Sequence, residues 1–337
     1  MKSSLQQQTR EPKTAISTAN LIQKWIGRLA LYSLTIFMIS CPLILVDSCI
    51  WLLFPPSDLN WFLELYRILL EFTLASGFTL FIVLFIFQRL LVRRQDFFFR
   101  PLNNAKIHVG LTAYNDELCI GDAVREFKSC PDVDKVIVVE NNSKDNTYQI
   151  ARESGADRVV TEYIPGYGSC CMRALEESAI GLDDDDVIIL CEGDMTFSAH
   201  DVKKFLSYLE NCDLVLGTRA TQELRAAKTQ MDWLINPANQ IVAKMIQVRF
   251  WGSRLTDVGC TYRAMRVGSY RRLKRHLRVR GNHFSPHMFI EVLKLRMRLI
   301  EIPVVFRLRA GESKGVGSNK IKAARVAIRM LGLLYSS

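Results

Sequence analysis

Glu192-Gly193-Asp194 puts two carboxylates one residue apart, directly after the apolar run Val187-Ile188-Ile189-Leu190-Cys191. Five consecutive apolar residues predict a buried strand. The four aspartates before it, Asp183 to Asp186, are expected in solvent. In open α/β sheets ligands bind beyond the carboxyl ends of the strands. Two acids held there can share a hard divalent cation whose other ligands are phosphate oxygens. A solvated acidic turn after a core strand would look the same, so the other strand ends decide.

Three further strand-like runs end in polar clusters. Ile107 to Leu111 leads into Thr112-Ala113-Tyr114-Asn115-Asp116-Glu117. Val136 to Val139 leads into Glu140-Asn141-Asn142-Ser143-Lys144-Asp145-Asn146-Thr147. Arg158 to Thr161 is followed by Gly166-Tyr167-Gly168. Each could be a helix N-cap, and Ser143 reads best as one. Together on one rim they would form a polar crevice for a base, a ribose and a diphosphate with its cation.

The elements that must carry these clusters alternate. Helices are expected over Asp116 to Ser129, after Ser143, over Ser169 to Ile180 and over Asp201 to Leu209, with another strand at Leu214 to Leu216. This order predicts an α/β fold with a parallel sheet and helices on both faces. The second half reads as a long helix near Lys228 to Val248 and a strand-like Cys260 to Met265. A helix capped by Ser285, with Pro286 in its first turn, follows, then a strand over Ile300 to Leu308. Asn319 to Leu334 reads as an amphipathic helix suited to a membrane surface.

Ahead of this domain the composition changes. Met1 to Asn20 is polar and reads as a disordered tail. Leu29 to Val46 carries no charge, and Ile68 to Phe87 carries only Glu71. Both are long enough to cross a bilayer. Lys13, Lys24 and Arg28 precede the first span, and Arg89, Arg93 and Arg94 follow the second. Positive flanks stay inside, so the tail and everything after Arg94 are expected in the cytoplasm. A long first span followed by a second argues against a cleaved signal peptide. Nine cysteines without zinc spacing point to a reducing compartment. A net charge of +10 suits a membrane surface or a phosphorylated substrate. The chain has no nucleic-acid-binding motif, which sets that partner aside. Arg271, Arg272, Arg275, Arg278 and Arg280 read as a basic cluster near anionic lipid.

From Lys106 to Lys314 the chain resembles the family 2 glycosyltransferases of the GT-A fold, in the branch of polyprenyl-phosphate (dolichyl-phosphate) mannosyl- and glucosyltransferases. Thr112-Ala113-Tyr114-Asn115-Asp116 stands for that branch's Pro-x-Tyr-Asn-Glu. Val139 to Thr147 stands for Val-Asp-Asp-Gly-Ser-x-Asp-x-Thr, Gly166-Tyr167-Gly168 for Gly-x-Gly, and Glu192-Gly193-Asp194 for Asp-x-Asp. Gly217-Thr218-Arg219 matches Gly-x-Arg, and Asp257 to Arg263 resembles Asp-x-x-Ser-Gly-Phe-Arg. Arg307, Arg309 and Gly311-Glu312-Ser313-Lys314 resemble a late Arg-rich Gly-x-Ser-Lys loop. Some departures from these patterns matter. Glu192 adds a methylene, Asn141 replaces an acid that helps hold the nucleoside, and the proline before Tyr114 is missing.

The resemblance implies inverting sugar transfer from a nucleotide-sugar, UDP- or GDP-linked, to a membrane polyprenyl phosphate. It implies Mg2+ or Mn2+ held by Glu192 and Asp194, with Asp194, Arg219, Asp257 and Arg263 as the catalytic set. Donor contacts are expected from Ala113, Tyr114, Asp116, Glu140, Asn142, Gly168, Glu192, Gly193, Arg307, Arg309, Ser313 and Lys314. A phosphate acceptor is largely ionised near neutrality and needs no general base. A hydroxyl on a lipid-linked glycan or polysaccharide would need one, with Asp257 the candidate. A scaffold that kept the fold and lost its metal site is the reading from another class. The expected layout is a tail over 1–24, two transmembrane helices over 25–94, a linker over 95–105, the GT-A domain over 106–318 and a C-terminal helix over 319–337. The chain is thus expected to be a multi-pass membrane protein with a cytosolic catalytic domain, its assembly into homo-oligomers left open.

Overall fold

The computed structural model describes residues 13–53, 61–91, 97–227, 229, 235–250, 254–309 and 320–337. It divides into two units, Met1–Gln95 with Val248–Trp251, and Asp96–Gln247 with Gly252–Ser337.

The first unit holds two long helices, α1 (Lys13–Leu53) and α2 (Trp61–Leu91). Each is long and apolar enough to cross a membrane, over Leu21–Cys49 and Glu64–Phe87, with mean hydropathy 2.2 in both. They pack on one another, with Gly77 against Ile36 and Phe78 against Phe37. Their outer sides stay apolar and exposed, as at Leu45, Ile68 and Phe72. Lipid can cover such a surface and water cannot do so cheaply. The hydroxyls of Ser33, Thr35 and Ser40 bond to carbonyls one turn back, so these three groups are satisfied within the helix. Glu71, the charge inside the second expected span, pairs with Arg67 at 3.1 Å. The helical residues 13–24 correct the expected disordered tail, because α1 begins well before the span. The Pro55-Pro56 connection lies outside the described residues.

The second unit is a seven-stranded mixed sheet. Its strands are β1 (Ile107–Ala113), β2 (Lys135–Glu140), β3 (Arg158–Thr161), β4 (Val187–Glu192), β5 (Leu214–Thr218), β6 (Arg263–Arg266) and β7 (Leu299–Pro303). The order is β3-β2-β1-β4-β6-β5-β7. The strands β3, β2, β1 and β4 run parallel, joined by α3 (Ile120–Lys128), α4 (Thr147–Glu153) and α5 (Tyr167–Ser178). This half brings the four polar clusters to one rim. α6 (Val202–Leu209) follows β4 and contributes Phe205 to the core with Leu111, Ile189 and Tyr262, all fully buried.

The parallel direction expected for the first-half strands holds from β1 to β5, and β6, from the less regular second half, runs antiparallel to both β4 and β5. After α7 (Ile235–Phe250) the chain is already at the carboxyl rim, where Thr261 touches Glu192. Only a reversed strand leads back from there. β7 is also shorter than expected and ends at Pro303. A helix not anticipated, α8 (Val267–Lys274), covers part of the basic cluster. Arg271 pairs with Asp184, Arg272 with Asp213 and Lys274 with Glu176, so these cations serve the domain's own acids. Asp183, Asp184 and Asp185 are exposed, but Asp186 is buried and accepts from the Lys106 and Asp183 amides.

α9 (Phe284–Lys294) starts one residue before the expected cap, with Pro286 in its first turn. Ser285 lies inside that turn, and its hydroxyl accepts from Arg263 instead of capping the helix. α10 (Lys320–Ser336) closes the chain, with Leu334 buried and Ile328 exposed.

Candidate active site

The loops after β1 and β2 are tied to each other by a lattice of local bonds. The Asn115 amide donates to Ser143 Oγ at 3.1 Å, and the Lys144 amide returns a bond to Asn115 Oδ1 at 2.7 Å. Glu117 and Asp145 exchange a similar pair with the amides of Asn146 and Glu117. The Asp116 amide donates to Thr147 Oγ1 at 2.7 Å. Ser143 is therefore a bridge between loops, not the N-cap of α4, which follows Asn146. Asn115 and Asn142 hold positive φ, 51° and 55°, a conformation asparagine tolerates. The Asn142 side chain donates to Tyr163 O at 2.9 Å, and Glu140 is buried with one oxygen on the Ser143 amide at 2.6 Å.

This frame leaves acids facing a common space. One Asp116 oxygen accepts from the Tyr114 amide at 2.9 Å, and the other meets Arg309 Nη2 at 2.9 Å. Arg309 Nη1 lies 3.5 Å from Asp194 Oδ2. Asp194 Oδ1 accepts from the Thr196 amide and hydroxyl, at 3.1 and 2.5 Å. Glu192 Oε1 accepts from Thr261 Oγ1 at 2.5 Å. Burial and then the neighbouring Asp194 charge push the Glu192 carboxyl up to about 7. Burial opposes the charge on Arg309, but Asp194 and Asp116 outweigh it and raise its pKa. A Cβ at Gly193 would meet Ile120 Cδ1 at 2.5 Å, so a larger residue there would make the Ile120 side chain shift. Met195 follows at φ 64°, a left-handed conformation uncommon for a residue other than glycine, and Thr196 holds Asp194 Oδ1.

A second arginine–aspartate pair sits beside the rim. Arg219 Nε and Nη2 donate to Asp257 Oδ2 and Oδ1 at 2.8 and 2.9 Å. Asn239 Nδ2 and the Gly259 amide also donate to Oδ1. Asp257 is fully buried, and burial alone would raise its pKa. The Arg219 charge and these donors overcome that and hold it down to about 2.

Residues 109–274 match the model of the family described as glycosyl transferase family 2. The chain carries a family 2 glycosyltransferase domain. It is 28% identical over 208 residues to a dolichyl-phosphate hexose transferase of Haloferax volcanii, covering 61% of this chain and 85% of that relative. It is 25% identical over 194 residues to the glycosyltransferase AglJ of the same organism, covering 57% of this chain and 60% of AglJ. The fold is similar to that of glucosyl-3-phosphoglycerate synthase from Mycobacterium tuberculosis, solved with Mn2+, UDP and its product. There the TM-score is 0.50 at 17% identity, over 69% of this chain and 80% of that one.

Within this glycosyltransferase domain the structure gathers Tyr114, Asp116, Glu192, Asp194 and Arg309, and sets Arg219 with Asp257 beside them. Two arginines fall elsewhere. Arg263 is fully buried, and its four hydrogen bonds go to Thr261 O, Cys260 O, Ser285 Oγ and Met288 Sδ. It faces α9, with the Phe289 ring 4.9 Å away, and no phosphate can reach it there. Arg307 forks onto Glu126 of α3 at 2.7 and 3.1 Å and onto Ser198 Oγ at 2.7 Å. Both expected phosphate contacts are thus spent on the fold. Gly166, at φ 131°, and Gly168 turn their open sides toward the backbone of Val279 and Arg280. Ala113 O accepts the Asn141 amide. Ser313 and Lys314 lie outside the described residues.

Thr261, Thr196 and Asn239 were not singled out by sequence. Thr196 had a readable signal, since a threonine two residues after an aspartate closes a local turn on it. Asn141 has a different task from the acid it replaces. Its amide nitrogen donates to Glu162 O and Ile164 O at 2.7 and 2.9 Å, and its oxygen accepts the Gly166 amide at 2.8 Å. It staples the loop after β3.

Proposed function

We propose that this domain transfers a sugar from a UDP- or GDP-sugar to a membrane polyprenyl phosphate on the cytosolic face, with inversion and with a divalent ion. The observation that carries it is the group Asp116, Glu192 and Asp194 converging on Arg309 at the carboxyl rim of the sheet. The acceptor is inferred from the dolichyl-phosphate hexose transferase relative and from the two apolar helices of the same chain.

The donor set fits a hard cation. Among the described residues, Glu192 Oε2 has no hydrogen bond, and Asp194 Oδ2 is met only by Arg309. Two crowded carboxylates need a positive neighbour to ionise together. No group of three His, Cys, Asp or Glu residues suited to a metal occurs among the described residues, so most ligands would come from diphosphate and water. Glu192 and Asp194 would hold Mg2+ or Mn2+. The bound ion would offset the charge that builds on the leaving diphosphate. Arg309 is placed to turn its fork from the two aspartates onto phosphate oxygens. The acceptor phosphate oxygen bonds to the anomeric carbon as its bond to the diphosphate breaks, and the nucleoside diphosphate leaves with that electron pair.

A hydroxyl acceptor is disfavoured by Asp257. A carboxylate held near 2, with both oxygens engaged, is a poor proton acceptor. The test incubates membranes containing the full chain, or its Asp194→Ala variant, with radiolabelled nucleotide-sugars. Label that enters organic solvent, is released by mild acid and requires Asp194 supports the proposal. An acid-stable labelled glycan sinks the phosphate acceptor, and transfer unaffected by Asp194→Ala sinks the site.

A further inference from the structure

A line of polar groups leads from Glu192 into the protein, with Thr261, Ser285 and Arg263 buried and Tyr167 half-buried. Glu192 Oε1 accepts from Thr261 Oγ1 at 2.5 Å. Thr261 Oγ1 is also bonded to Tyr167 OH, and Tyr167 OH lies 3.5 Å from Ser285 Oγ. Ser285 Oγ accepts from Arg263 Nη2 at 2.9 Å. Five elements contribute: the end of β4, the residues before β6, the start of β6, the first turn of α5 and the first turn of α9.

Hydroxyl chemistry gives this line a direction. Arginine only donates and an ionised carboxylate only accepts, while each hydroxyl has one proton to give. Thr261 gives its one proton to Glu192, so it accepts from Tyr167, which in turn accepts from Ser285. Every hydroxyl proton therefore points toward the acid. The same residues explain two departures from the pattern the chain resembles. Position 192 carries Glu for Asp, and position 261 carries Thr for Gly. The added methylene and the added hydroxyl meet each other.

We infer that Thr261 and Tyr167 are positioning residues for Glu192, clamping one of its oxygens so that the other is presented, beside Asp194, to the donor's divalent ion. This rests on the metal reading proposed above. A glutamate swings through more rotamers than an aspartate, and a ligand left loose binds weakly. Partners that orient a ligand from behind are worth about 10- to 100-fold in metal affinity.

The test measures Mn2+ binding to the full chain in detergent by electron paramagnetic resonance, with UDP or GDP present, and reads thermal unfolding in parallel. Thr261→Val keeps the shape and removes the hydroxyl, and is expected to weaken Mn2+ binding about 10-fold or more. Thr261→Ser should restore it, and Tyr167→Phe should fall between. In a Glu192→Gln background Thr261→Val should add no further loss. Unchanged Mn2+ affinity in Thr261→Val overturns the inference, as does a Thr261→Ser variant impaired equally. Should Thr261→Val not fold, Tyr167→Phe decides, and wild-type affinity there overturns the clamp. The parent reading fails separately, by wild-type chain and Asp194→Ala binding Mn2+ alike, and the clamp then falls with it.

Discussion

Arg219–Asp257 and Arg309–Asp116/Asp194 are built from the same residue types and lie beside the same rim, yet they are opposite devices. Asp257 is fully buried, and its two oxygens collect Arg219, Asn239 and backbone amides. Nothing is left over. Arg309 is divided between two acids, 2.9 Å from one and 3.5 Å from the other. A saturated pair holds its surroundings in place, here the Asp257–Gly259 turn against α7 and β5. Asp194 Oδ2 meets only Arg309 among the described residues, so that contact can be exchanged for a ligand. The difference lies in the donors gathered by the Asp257 and Asp194 oxygens, not in charge.

Removing an acid from each pair should therefore damage different properties. Asp194→Ala should lower transfer roughly 1,000-fold, about 4 kcal/mol of transition-state stabilisation, with little change in unfolding temperature. Asp257→Ala leaves the half-buried Arg219 without its ion-pair partner, a change that costs about 3 kcal/mol. For a domain of this size that is roughly 10 °C in thermal unfolding of the detergent-solubilised chain. If Asp257→Ala kept its stability and lost only activity, the two pairs would be the same kind of device after all.

Acid should act on the saturated pair as well. Asp257 is depressed from 3.8 to about 2, because Arg219 and its other donors outweigh burial. The folded state then binds fewer protons than the unfolded one between those values. Its contribution is complete above 3.8 and is lost as pH falls toward 2, about 2 kcal/mol in all. Denaturant midpoints measured across that window should fall with pH in the wild type and flatten in Asp257→Asn. Arg309→Lys sharpens the other side. A point charge cannot span two acids as a planar fork does, so kcat/KM should drop about 10-fold with the unfolding temperature unchanged. Arg219→Lys should do the reverse.

Much of this rim could be read from the residues alone, and the reason is physical. A parallel strand buried on both faces must be continuously apolar, so Val187 to Cys191 announces itself and the acids after it are placed at once. The sense of β6 could not be read, because a four-residue strand carries no mark of its direction. Arg263 and Arg307 misled for a related reason. An arginine in a motif declares its charge but not its facing, and Arg263 sits on a strand where every residue is buried. Glu126, which takes the Arg307 fork, is 181 positions away in sequence and belongs to no motif.

Asn141 offers the smallest and most discriminating change. The pattern the chain resembles has an acid here, so Asn141→Asp would be expected to improve nucleotide binding if the side chain faced the donor. The structure argues otherwise. The amide nitrogen donates to two carbonyls, Glu162 O and Ile164 O, and a carboxylate would turn bare oxygens toward both. Two bonds are lost and a repulsion takes their place, while the Gly166 amide keeps its acceptor. Hydrogen bonds of this kind are worth about 1 kcal/mol each. The loop over Glu162 to Gly166 should loosen without unfolding the sheet, since β3 sits at its edge. Hydrogen exchange at the Ile164 and Gly166 amides should rise several-fold, and the donor KM should increase about 5-fold with kcat nearly constant. A lower donor KM in Asn141→Asp would mean that this side chain reaches the nucleoside, and that the loop it staples is as exchangeable as the Arg309 bridge.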